Sequence, residues 1–424
     1  MVLYISLVLS KTLLEPGSFF AAIWTGFVWI HLLAAFDLQV SAFAVWFIVA
    51  SVISVIAGSY IGGHFLTNGK PLSLHAGVDD ASKRILVPKW LSKFTLFSIV
   101  VGVIYVGASI TAAGQSVGSL VTDFDLVSVA NELSRQRYSE GQWRPSLWIQ
   151  GMLIAIYLSP ILGGIQFALA RGRRDRTVGV LSLFPVLLLS VIHTTRSGIL
   201  IGVLFWGAAY ISSRIYRLGH WEGVANPRIV IGTFVSIFIL ILIFGIGEMM
   251  RVGDMPSVEG VSGALWSIRT RATFFGNLCS FSVWFDDYLR EKSTAALGSY
   301  TFSGIVDLLG LRVREQGLYG DEGIEVLPGA HVNIYTLFRG LIQDFGLVGT
   351  IVFLFGMGIA AGRVFKLTYQ GNHRNIVPLF CFYVFSSYYV VSIFIYNSVI
   401  FACLTAAILM FAPTNEVPRA RENH

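Results

Sequence analysis

Runs of roughly 16 to 24 apolar residues, split by short charged stretches, recur along much of the chain. A run near 20 residues crosses a bilayer as a helix, because each residue rises ~1.5 Å and the hydrocarbon core is ~30 Å thick. A membrane β-barrel would show alternating segments of ~10 residues instead, and the chain has no such alternation. Of the 424 residues, 55% are apolar and 13% charged. That charge is about half the share of a soluble protein, so lipid must be the solvent for much of this surface. The runs lie near 17–36, 40–63, 92–113, 147–170, 177–192, 198–213, 229–247, 346–361, 377–395 and 398–412, with residues 1–10 as a further short one. The expected fold is all-α, a polytopic transmembrane helix bundle of about 10–11 spans. It divides into an N-terminal bundle over 1–247, a large loop over 248–345, and C-terminal spans with a tail over 346–424.

Charge sets the expected orientation. Alternate connections carry Lys70, Lys83, Arg84 and Lys89, then Arg171, Arg173, Arg174 and Arg176, then Arg214, Arg217 and Arg228, then Arg363, Lys366 and Arg374; Arg419 and Arg421 follow in the tail. Short basic loops stay in the cytoplasm, so the segments 114–146 and 248–345 are predicted to face outward. A connection as long as the second, without linker composition, is usually functional. Its stretch 262–289 suits helices that lie on the membrane or dip into it. The net charge of +6 reads as a topology signal, and no nucleic-acid partner is expected. Cys279, Cys381 and Cys403 fit neither a metal spacing nor a disulfide framework.

Several polar residues stand out at the outward ends of spans. Arg196 lies in HTTRSG between two apolar runs. It reads either as a helix-end arginine reaching for the headgroups or as a phosphate ligand, since guanidinium stays charged and gives two parallel hydrogen bonds. His193, three residues earlier, reads as structural. Glu248 and Arg251, in GEMMRVGD, have a spacing that allows a local ion pair. Arg269 and Arg271, in SIRTRATFFGN, sit among apolar residues, where a cation needs an anion from protein or ligand. The densest signal is GAHVNIYTLFRGLIQDFGLVG, residues 329–349. There His331 could serve as a general base, histidines titrating near pH 6.5 in water. Asn333 and Tyr335 could hydrogen-bond sugar hydroxyls, and Arg339 could hold a phosphate; a polar segment capping a helix is the plainer reading. No P-loop or dinucleotide fingerprint is present, and no cluster has zinc spacing.

Four of these stretches, SKTLLEPGSFFAAIW near the start, TTRSGIL at 194–200, LGSYTFSGI at 297–305 and NIYTLFRGLIQDFGLVG at 333–349, resemble the O-antigen polymerase (Wzy-type) family of oligosaccharide repeat unit polymerases. The resemblance in layout covers nearly the whole chain, and the last stretch is its most specific part. It implies a metal-independent glycosyltransferase of GT-C type in the bacterial inner membrane, without cofactor, whose active site faces the periplasm. Such an enzyme moves a growing glycan from undecaprenyl pyrophosphate onto the sugar end of a newly flipped lipid-linked unit. A flippase and a chain-length regulator are the implied protein partners. By position in the motifs, Arg196, Asn333, Tyr335, Arg339 and Asp344 are the implied site residues. The chemistry agrees: a pyrophosphate leaving group gains negative charge as the sugar bond breaks, and fixed cations stabilise that transition state above the ground state. Arg196, Arg251, Arg269, Arg271 and Arg339 could supply the field, with His331, Asp344 and Glu248, in that order, as candidate bases. Two rivals stay open. An O-antigen ligase uses the same donor with a lipid A-core acceptor. A lipid-linked glycan transporter does no chemistry, and the near absence of charge within the spans argues against it.

Overall fold

The computed structural model describes residues 1–10, 12–65, 89–112, 114–115, 118, 146–193, 196–218, 263, 268–291, 295–311, 323–327, 330–388 and 392–411. In chain order these form α1 (Val2–Ser10), α2 (Pro16–Ala34), α3 (Ala42–His64), α4 (Lys89–Ala112), α5 (Leu147–Leu169), α6 (Arg173–Leu181), α7 (Phe184–Ile192), α8 (Arg196–Leu218), α9 (Ile268–Arg290) and α10 (Ser303–Leu308). A short hairpin of β1 (Ile324–Leu327) and β2 (Ala330–Val332) follows, then α11 (Leu337–Tyr369), α12 (Ile376–Ser387) and α13 (Asn397–Phe411). Among the described residues, seven stretches are long and apolar enough to cross a membrane: Pro16–Leu33, Ala42–His64, Trp90–Ala112, Trp148–Leu169, Arg173–Ile192, Gly198–Arg217 and Leu337–Tyr369. The protein is an all-α polytopic membrane bundle. The expected span at 229–247 lies outside the described residues.

Three expected spans differ from the helices observed. The run 177–192 is not one helix but two, α6 and α7. Pro185 sits in the first turn of α7, where its missing N–H and fixed φ start a helix but cannot continue one. The backbone freed at the break is satisfied internally, as lipid requires. The Ser159 hydroxyl donates to the Ser182 carbonyl at 2.8 Å, and the Trp206 indole donates to the Gly179 carbonyl at 2.8 Å. Within the run 377–395, α12 ends at Ser387, and a 3-10 turn at Ile393–Ile395, capped by Ser392, leads into α13. The run 346–361 belongs to a longer helix that starts at Leu337 and ends at Tyr369. Residues 337–345, assigned from sequence to the outward loop, are its first turns. They join the rest through Gly346, whose φ of 68° and ψ of 179° break the helix there.

The most intimate pairing is α3 with α11. A side chain at Gly58 would strike the Phe355 carbonyl oxygen, and one at Gly362 would strike that of Ser59. The backbones touch because glycines recur four apart on both helices (58 and 62, 358 and 362), the small-residue device of membrane helix packing. The Ser54 hydroxyl reaches across to the Ile351 carbonyl at 2.7 Å. These contacts make the two helices parallel. At their C-terminal end, Arg171, Arg176, Arg214 and Arg217 feel one another's charge. The Tyr216 ring lies 6.5 Å from His373 there, tying α8 to the α11–α12 turn. Four of the basic residues used to read orientation, Arg171, Arg176, Arg214 and Arg217, therefore gather at one end of the bundle, and α11 begins at the other.

Candidate functional site

At the end opposite the basic cluster, α9 docks on the start of α3. The Ser41 hydroxyl donates to the Asp286 carboxylate at 2.8 Å, and the Ser41 N–H donates to the Ser282 hydroxyl. The apolar face of α9 follows helical spacing, with Phe281, Trp284, Phe285 and Tyr288 at i, i+3, i+4 and i+7. Phe281 and Phe285 are fully buried in the core, together with Trp24 and Phe338. The hairpin packs against the same helix and pairs Glu325 with His331. From β2 the chain runs extended through 333–336 and turns into α11 at Thr336.

Over these few residues the polar groups part company. His331 and Asn333 are exposed, whereas Tyr335, Thr336, Arg339 and Asp344 are buried. Arg339 retains only 2% of its surface. Its guanidinium carbon lies 3.9 Å from the centre of the Tyr335 ring and 5.2 Å from that of Trp284. It occupies the third position of α11, and the N-cap residue Thr336 makes no side-chain cap. The Thr336 hydroxyl, wholly buried, has no hydrogen-bond partner among the described residues. A helix N-terminus carries unsatisfied N–H groups and about half a positive charge. A buried arginine there, above an uncapped first turn, concentrates positive potential in one place. An anion at this point would meet the uncapped first turn and the Thr336 hydroxyl, as anions do at helix N-termini.

Asp344 does something else. Its Oδ1 accepts the Tyr300 N–H at 3.0 Å and its Oδ2 the Thr301 N–H at 2.6 Å. The neighbouring carbonyls of Gln343 and Asp344 accept the N–H groups of Ala296 and Leu297. The carboxylate thus clamps the turn 296–301 to α11. That turn holds Leu297 and Gly298 at positive φ, 50° and 91°.

The remaining sequence candidates lie on other elements or outside the described residues. Arg196 opens α8, and Arg269 and Arg271 lie in the first turn of α9; Glu248 and Arg251 lie outside the described residues. His193 is buried beneath α8's start, with its Nε2 2.8 Å from the Ser109 hydroxyl of α4, a packing role in keeping with the sequence reading. Among the described residues, no three His, Cys, Asp or Glu side chains come together as metal ligands. Sequence reasoning missed Trp284 and Tyr300. The spacing of aromatics along 281–288 marked the buried face of a helix, but nothing local linked that face to Arg339. No family model, curated protein or solved structure matches the chain.

Proposed function

We propose that this protein is a glycosyltransferase of the inner membrane. It joins lipid-pyrophosphate-linked oligosaccharide units, working at the periplasmic end of the bundle where α11 begins. The observation that carries the reading is the first turn of α11, where buried Arg339 and the uncapped hydroxyl of Thr336 share a helix N-terminus. A buried guanidinium beside the partly positive end of a helix that lacks a side-chain cap fits a leaving group that gains negative charge. Basic residues gathered at the far end support a cytoplasmic placement for that end, which puts α11's start outside. The donor's own phosphoester bond supplies the driving force, so neither nucleotide nor metal enters the scheme. The resemblance of residues 333–349 to the Wzy-type polymerases supports polymerisation of undecaprenyl-linked repeat units in a GT-C-like bundle, with a flippase supplying substrate and a chain-length regulator as partner.

In this scheme Arg339 takes the pyrophosphate oxygens, with Arg196, Arg251, Arg269 and Arg271 as further candidates for the same role. The exposed Asn333 meets sugar hydroxyls. The acceptor hydroxyl attacks the anomeric carbon while the bond to phosphate breaks, and the proton leaves to a base. His331, exposed on the hairpin that leads to Arg339, is the first candidate and Glu248 the second. Asp344, with both oxygens engaged by backbone amides, is better fitted to holding the site than to accepting a proton.

The test is direct. Purified protein in nanodiscs, given a lipid-pyrophosphate-linked repeat unit alone, should yield a ladder of products. Arg339→Lys should abolish most of it, because a point charge lacks the fork of guanidinium. A product that forms only when a lipid A-core acceptor is added would mark a ligase. Movement of the unit across the bilayer with no new glycosidic bond would mark a transporter.

A further inference from the structure

We infer that Trp284 is a positioning residue for Arg339, so that α9 completes the anion site at the start of α11; the inference rests on the reading of α11's first turn as that site. A guanidinium buried to 2% exposure is held against two ring faces, Tyr335 at 3.9 Å and Trp284 at 5.2 Å. The two contacts differ in origin. Tyr335 precedes Arg339 by four residues and arrives with it on the same stretch of chain. Trp284 comes from a separate element, and its place is fixed by how α9 docks. Ser282 and Asp286, on either side of it, bind the start of α3 through Ser41, while Phe281 and Tyr288 flank its ring with centroids at 6.1 and 5.2 Å.

An aromatic face attracts a cation through its quadrupole, and does so most strongly when water is excluded and the ring is tryptophan. Such a contact differs from a carboxylate in what it asks of the cation. It acts through the ring face and not through a hydrogen bond, so it fixes where the cation sits. Holding the cation where charge develops, rather than letting it swing there during the reaction, is what makes a preorganised site effective. Trp284 thereby links the two halves of the site. Any displacement of α9 from α3 withdraws one wall from Arg339, and binding of the donor's pyrophosphate becomes dependent on the docked state of α9.

The experiment uses the full chain in detergent, with inorganic pyrophosphate titrated calorimetrically and the thermal midpoint recorded for each variant. Trp284→Phe keeps a ring face and should bind within about threefold of the parent. Trp284→Leu keeps apolar bulk without the face and should lose roughly tenfold or more, the scale of a desolvated cation–π contact. The two variants should melt within a few degrees of each other. In the polymerisation assay Trp284→Leu should raise KM for the donor more than it lowers kcat at saturation. Equal binding by the two variants, whether both retained or both lost, overturns the assignment, because the aromatic face would then not be what matters. A parent chain that ignores pyrophosphate, or an Arg339→Gln variant that binds it as well as the parent does, removes the anion site itself and the role of Trp284 with it.

Discussion

Arg339 and Asp344 come from the same short polar stretch, and from sequence they look like equal candidates for chemistry. The structure separates them by what surrounds each charge. Arg339 meets ring faces at a helix start, whereas both oxygens of Asp344 accept backbone N–H groups. Asp344→Asn tests that difference. The amide keeps one acceptor but turns an NH2 toward a backbone donor, so one of the Tyr300 and Thr301 hydrogen bonds is lost and a buried N–H is left unpaired, at a cost of about 1–3 kcal/mol. The thermal midpoint should therefore fall, with turnover falling alongside it. An unchanged midpoint with lost turnover would restore Asp344 as the base. Residue types at 331–344 were legible in the sequence because histidine, asparagine, tyrosine, arginine and aspartate cluster there against an apolar background. Their burial was not, since it depends on α9 and on the turn at 296–301, which reach Arg339 and Asp344 only through the tertiary fold.

Among the elements, hydropathy located the helices well where lipid is the environment and poorly where protein is. The segment 337–345 has too much polarity to count as a span, yet it is helix, because Arg339 and Asp344 are buried against protein rather than exposed to lipid. Pro185 was a readable break inside an apolar run, and run length masked it. Gly346 was less readable, because a glycine inside a long membrane helix is ordinary. Its φ and ψ lie in a region essentially reserved for glycine, costing other residues on the order of 1–3 kcal/mol. The α3–α11 contact gives the sharper test, since the same substitution should have opposite signs at two helical glycines. Gly26 has nothing within 4 Å of an added Cβ, while Gly58 faces the Phe355 carbonyl. Gly26→Ala should be neutral or stabilising by up to about 1 kcal/mol through helix propensity. Gly58→Ala should force α3 and α11 apart, costing on the order of 1–3 kcal/mol as overpacking does. Thermal melting in detergent reads both, and a Gly58→Ala chain as stable as Gly26→Ala would mean that the close approach of these helices is not needed.

For the whole molecule, the question is which end faces outward, because every functional step proposed above depends on it. Helix directions place Arg171, Arg176, Arg214 and Arg217 together, and the parallel α3 and α11 put the buried Arg339 at the opposite end. The excess of Lys and Arg in short connections supports the proposed placement of the basic end in the cytoplasm. Two exposed positions report on the two ends: Glu325 on β1 beside the site, and Arg174 in α6. Cysteines are introduced singly at these positions in a chain whose Cys279, Cys381 and Cys403 have been replaced. Glu325→Cys should react with an impermeant maleimide in intact spheroplasts, and Arg174→Cys should react only after lysis. The reverse pattern would place the first turn of α11 in the cytoplasm, away from any flipped lipid-linked glycan. Its cationic helix start would then have to serve an anion on the cytoplasmic side, and polymerisation at the periplasmic face would be untenable whatever the mutants of Arg339 show.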